Sequence, residues 1–161
     1  MNEIKNLLIK RPVELPCDIH RIEVGGCRWY AFVGLYKERV FEIFFADIEE
    51  SSDIFFIPKT IKKGMIIRGV TDSGEKVYNF KYVDKQKFGV TVENIGRVLD
   101  ASYYNYVLDV SFMLRYLPNK QVIHIIKKWR NLTEKQEILR ELLIRIIGMY
   151  KSVYTVKVEH E

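Results

Sequence analysis

The chain has 161 residues, 48% of them hydrophobic and 29% charged, with a formal net charge of +5 and two cysteines. That length suits one domain with a true core, the balance excludes disorder, and two cysteines exclude a disulfide framework. No apolar run reaches the roughly 18 to 20 residues of a membrane span, and Met1 to Lys10 lacks the apolar core of a secretion signal. The expectation is a cytoplasmic protein with no membrane partner, folded as a single domain over 1–161. Within it, 1–10 is an N-terminal extension, 17–95 an antiparallel sheet and 102–150 a set of helices.

Cys17 to Val24 reads as the first strand, with Gly25-Gly26 as the turn out of it. Arg28 to Phe45 then reads as a hairpin that turns at Tyr36 to Arg39 and returns along Val40 to Phe45. On the outgoing strand one face carries Trp29, Ala31, Val33 and Leu35, and the other carries Tyr30, Phe32, Gly34 and Tyr36. Both faces are apolar. Such a strand belongs in the middle of a sheet, with helices expected on one face and a partner chain or a ligand on the other.

Glu49 to Asp53 reads as a surface loop. Lys63 to Arg68 and Lys76 to Val83 flank the turn Asp72-Ser73-Gly74, and Phe88 to Val92 pairs with the second of them, which completes six strands. Tyr78, Phe80 and Tyr82 share one face of that strand while Asn79 and Lys81 share the other, the pattern of a strand with one wet side.

The remainder is helical. Ser102 is the expected cap of a helix that runs to Leu117 and is stopped by Pro118. Its inward stripe is Tyr103, Tyr106, Val107, Val110, Leu114 and Leu117, and a second stripe of Tyr104, Leu108, Phe112 and Arg115 predicts a cover of its own, from another helix or a dimer partner. A second helix spans Asn119 to Arg130, and Thr133 to Gln136 opens a third with a capping box. Val153 to Val158 alternates like an edge strand. The predicted fold class is α+β: an antiparallel sheet of about six strands followed by two to three C-terminal helices packed on one face.

Phosphate-loop, dinucleotide, zinc-helix and nucleophile-elbow patterns are missing, and His20, His124 and His160 stand without obvious partners, so a non-catalytic protein is expected. Cys17, His20 and Cys27 supply three potential zinc ligands where a closed site wants four, and no metal or other cofactor is expected. From Arg115 to Lys157 ten Lys and Arg face three acids, Glu134, Glu137 and Glu141. The pattern is compatible with an anionic partner and equally with a solvated helix surface, and the solvated surface is preferred to duplex nucleic-acid binding because no continuous basic stripe is present. Arg97, Tyr103, Tyr104, Asn105, Arg115 and Lys120 combine guanidinium and ammonium groups for phosphates, rings that stack on bases and an amide that reads a base edge. These six are the candidate ligand residues for a nucleotide or cyclic nucleotide. Trp29, Phe32 and Phe112 are the candidate interface residues of a homo-oligomer.

From Arg11 to about Trp129 the chain resembles the C-terminal accessory domain of adenosylcobalamin-dependent (class II) ribonucleotide reductases. The matching features are Arg11-Pro12, Trp29, Phe32 to Leu35, Glu42-Ile43-Phe44, Pro58, Lys62-Lys63-Gly64 and Ile66-Ile67, followed by Tyr78, Phe80, Tyr104-Asn105-Tyr106 and Leu114-Arg115. Where that family has a Gly-Arg-Pro turn this sequence has Glu38-Arg39-Val40, and neither the family's cysteine-rich tail nor the reductase's radical barrel is seen. The resemblance implies an antiparallel sheet followed by helices, used as a stand-alone accessory or protein-interaction domain. The layout is also similar to phage anti-defence sponges, which sequester cyclic nucleotide signals; that likeness implies binding without turnover.

Overall fold

A computed structural model describes residues 9–97 and 99–150. Six strands, β1 (Glu14–Val24), β2 (Cys27–Tyr36), β3 (Arg39–Asp47), β4 (Lys63–Val70), β5 (Lys76–Val83) and β6 (Gly89–Val92), precede three helices. The helices are α1 (Ala101–Tyr116), α2 (Asn119–Lys127) and α3 (Glu134–Gly148). The sheet is antiparallel throughout, in the order β3-β2-β1-β4-β5-β6. The α+β expectation is met. The predicted strand at Val153 to Val158 lies outside the described residues.

Local chemistry explains the element ends. Gly25 and Gly26 both take positive φ, as a two-residue hairpin turn with the twist of its strands requires. Leu117 is forced into extended geometry ahead of Pro118, which ends α1, and Pro118 then precedes the first turn of α2. At α3 the capping box is complete: the Gln136 backbone N–H donates to Thr133 Oγ1 at 3.2 Å and the Thr133 N–H to Gln136 Oε1 at 2.9 Å. Two boundaries differ from expectation. α1 begins at Ala101 with Asp100 before it, so Ser102 sits inside the first turn and does not cap it. α2 stops at Lys127, three residues short of Arg130.

The β2 strand is buried without interruption from Trp29 to Gly34, as its two apolar faces demand. Trp29, Ala31, Val33, Ile43 and Phe45 pack against Val107, Val110 and Leu114 of α1, Val122 and Ile126 of α2, and Leu139, Leu142, Leu143 and Ile146 of α3. The opposite face is covered by the chain itself, not by a partner or a ligand. There Tyr30, Phe32 and Phe44 meet Ile66, Phe80 and Tyr82 from the far half of the sheet and Phe55, Ile57 and Ile61 from the β3–β4 connection. The Phe44 and Tyr78 rings lie 5.0 Å apart although β1, β2 and β4 stand between their strands, so the sheet curls back on itself around this second core.

Trp29 and Phe32 are therefore interior residues on opposite faces of β2, and neither presents a surface to a partner. Their size serves the two cores. The second stripe of α1 divides in the same way: Tyr104 and Arg115 are half-buried against the sheet, while Leu108 and Phe112 face solvent.

Candidate functional site

One end of the curled core is closed by charge. Arg11 binds Glu42 of β3 through two parallel hydrogen bonds, Nε to Oε1 at 2.6 Å and Nη2 to Oε2 at 2.9 Å, with both side chains only 3% exposed. The Arg11 guanidinium also lies over the Tyr78 ring at 5.2 Å and donates to the carbonyls of Pro12 and Val13. A bidentate pair with its remaining donors satisfied is the form in which two charges tolerate burial. Tyr104 packs beside it, its ring stacked 6.2 Å from Phe44. Burial, reinforced by Tyr78 and Glu42, pushes the Tyr104 phenol up to about 12.

Arg115 stands next to this pair without sharing it. Its guanidinium lies 4.2 Å from the Phe41 ring centroid and 5.7 Å from that of Phe112, and its buried Nε has no hydrogen-bond partner among the described residues. Burial lowers the Arg115 pKa, and the nearby Glu42 carboxylate partly offsets that effect. Rings extend the bed on both sides: Phe112 packs on Tyr116 at 5.2 Å, and Phe41 packs on Tyr36 at 5.3 Å. Over Tyr36 sits the Lys37 ammonium, 5.2 Å from the ring centroid. Arg39 joins the hairpin to the helix by donating from Nη2 to the Leu114 carbonyl at 2.9 Å.

The hairpin tip that carries Lys37 is strained. Lys37 and Glu38 both have positive φ, 53° and 66°, in a two-residue turn that favours Asn and Gly. A lysine is thereby held over a ring at the mouth of the patch. Phe112 is 49% exposed beside it. Together, Lys37, Arg39, Phe112, Arg115 and Tyr116 form a cationic and aromatic surface at the tip of the β2–β3 hairpin and the C-terminal end of α1.

Of the six predicted ligand residues, Arg115 lies in this patch and Tyr104 behind it. The structure does not gather the others. Tyr103 turns toward α3, where Lys135 Nζ lies 5.0 Å from its ring centroid. Asn105 is exposed on α1 and Lys120 on α2, and Arg97 lines a separate groove with Phe56 and Val90. Sequence reading missed Lys37, Arg39 and Tyr116. For Lys37 a signal was present in the Lys-Glu pair inside the expected turn at Tyr36 to Arg39, a composition that tight hairpin turns disfavour.

The family described as NrdJ homologue C-terminal domain matches residues 15–151. The chain belongs to that family. Its membership bears out the resemblance to the C-terminal domain of class II ribonucleotide reductases, and makes this an RNR-related domain. No curated protein and no solved structure is significantly similar to it. Within the NrdJ homologue fold, Glu42-Ile43-Phe44 and Leu114-Arg115 sit against one another: Glu42 takes Arg11, Ile43 meets α1, and Arg115 faces the hairpin tip. Among the described residues no helix is long and apolar enough to cross a membrane.

Proposed function

We infer that this NrdJ homologue domain binds a nucleotide without turning it over, with phosphate held by Arg115 and the base laid against Phe112 and Tyr116. The observation that carries the reading is the Arg115 Nε, buried, on an aromatic bed and lacking an acceptor among the described residues. A buried donor without an acceptor costs about 1–3 kcal/mol, so nothing in the fold consumes this guanidinium, and its terminal nitrogens, which donate to no described residue and are not sealed from solvent, are the groups a phosphate at the patch would meet. Glu42 directs its two oxygens at Arg11 and makes no hydrogen bond to Arg115. The groups assembled at the patch are cations and rings, the chemistry of holding a nucleotide. Sequestration of a cyclic nucleotide by a phage anti-defence sponge is the finer form of this reading, supported by the layout likeness and by a site made of binding groups.

Titration calorimetry against mono-, di- and cyclic nucleotides tests it. Arg115→Met keeps the apolar stem and removes the charge, so it is expected to abolish binding while Lys120→Met leaves it intact. Absence of heat for every nucleotide at concentrations of about 1 mM overturns the reading.

A second reading, a detached accessory domain that binds a reductase subunit or another protein, draws on the exposed Phe112 beside Tyr116. Phe112→Ser would then abolish capture of a purified class II reductase subunit without changing the thermal midpoint.

A further inference from the structure

The two edges of the sheet are treated differently. On β3 the outward Ile43 N–H is taken by Ser111 Oγ at 3.1 Å, and Ser111 itself donates to the Val107 carbonyl at 2.8 Å, so α1 caps that edge. β6 is the other edge, and among the described residues no strand pairs with the side turned away from β5. Exposed strand edges are usually blunted, since their free backbone groups recruit further strands. β6 is kept short, at four residues, yet large apolar side chains stand exposed beside it: Phe88 is 66% exposed, and Phe56, 67% exposed, joins Ile54 along a groove of about 370 Å³ beside Val90 and Val92.

The backbone groups that β6 offers follow from its register. Asp84 N–H donates to the Phe88 carbonyl at 2.9 Å, and Val90 and Val92 stand opposite Tyr82 and Phe80. Alternation along an antiparallel ladder then aims Phe88, Val90 and Val92 at β5 and leaves Gly89, Thr91 and Glu93 aimed outward.

We propose that β6 pairs antiparallel with β6 of a second copy, centred on Val90, so that the sheet runs continuously through a twofold dimer. This register is self-complementary in charge as well as in hydrogen bonding. Gly89 faces Thr91 of the other copy, each with outward backbone groups; Phe88 faces Val92; and Lys87, in the left-handed last position of the turn before β6 with its N–H given to the Asp84 carbonyl, brings its side chain to the level of Glu93 just past the other end of the strand, an opposite-charge pair made twice by the symmetry. A slip by one residue in the centre keeps the hydrogen bonds but sets Lys87 against Ile95 and loses both ion pairs. The exposed rings of Phe88 and Phe56 lie where the second strand would cover them.

Sedimentation equilibrium on the full chain, across micromolar to millimolar concentration, tests the dimer. Thr91→Pro deletes one outward N–H and spares the β5 ladder, so it is expected to raise the dimer dissociation constant by about tenfold or more with an unchanged circular dichroism spectrum. Lys87→Glu and Glu93→Lys are each expected to weaken the dimer about fivefold, and the double reversal K87E/E93K to restore it. Because those two positions are exposed, they report even if Thr91→Pro fails to fold. A strict monomer at about 1 mM, or a dimer indifferent to all of these changes, overturns the proposal. So does a monomer whose β6 amides become protected only when an extended peptide of another protein is added, which assigns the edge to a different occupant.

Discussion

Gly34 and Glu42 stand opposite each other on β2 and β3, and a Cβ placed on Gly34 would lie 2.7 Å from Glu42 Cγ. The glycine leaves the channel through which the glutamate side chain reaches Arg11. Glu42 cannot give way without losing two charged hydrogen bonds inside the core. Gly34→Ala is therefore expected to destabilise the fold by about 1–3 kcal/mol, read as a lower urea midpoint at unchanged slope.

The Arg11–Glu42 pair makes its own prediction. Glu42→Ala leaves Arg11 charged and buried, with an expected loss of about 3–5 kcal/mol. The double change Arg11→Met with Glu42→Leu removes both charges, and is expected to be markedly more stable than Glu42→Ala alone. Equilibrium denaturation of the two variants side by side checks it.

Ser111 is tested by removing its hydroxyl. Ser111→Ala strands the buried Ile43 N–H, at a cost of about 1–3 kcal/mol, whereas the same change at exposed Ser102 is expected to stay within about 0.5 kcal/mol. Hydrogen exchange at Ile43 should accelerate in the first variant alone.

The C-terminal end of α3 is tied to β1 by a polar chain. Tyr150 Oη donates to Asp18 Oδ2 at 2.8 Å and lies 2.6 Å from His20 Nε2. Burial lowers the His20 pKa below 6.5, with Asp18 opposing the shift only in part. The unfolded chain then binds more protons than the folded one as pH falls through about 6.5, so the His20 contribution to stability is complete above that pH and is lost below it. His20→Gln keeps a donor for Tyr150 and removes the titration. The difference in melting temperature between pH 7.5 and 5.5 is expected to be smaller in that variant than in the parent chain.

Much of the fold could be read directly. The two-faced apolarity of Trp29 to Leu35 placed β2 inside the sheet, Gly25-Gly26 and Pro118 marked real boundaries, and Thr133 with Gln136 announced α3, because each of these signals acts within a few residues. The cover of the second face could not be read. It depends on how far the sheet twists and curls, which sums small rotations over several strands and has no local signature. Trp29 and Phe32 consequently looked like interface residues when they are core.

The candidate site shows the same division. Sequence alone determined that Arg115 belonged to a cationic, aromatic helix and that Glu42 and Gly34 were family markers. Only the tertiary structure decided that Gly34 makes room for Glu42, that Glu42 is turned to Arg11, and that Arg115 lies on Phe41 with an Nε that has no partner among the described residues. The pairing of charges was undetermined because three residues from distant segments converge on one end of the curl, and burial, not spacing, selects which cation the carboxylate takes.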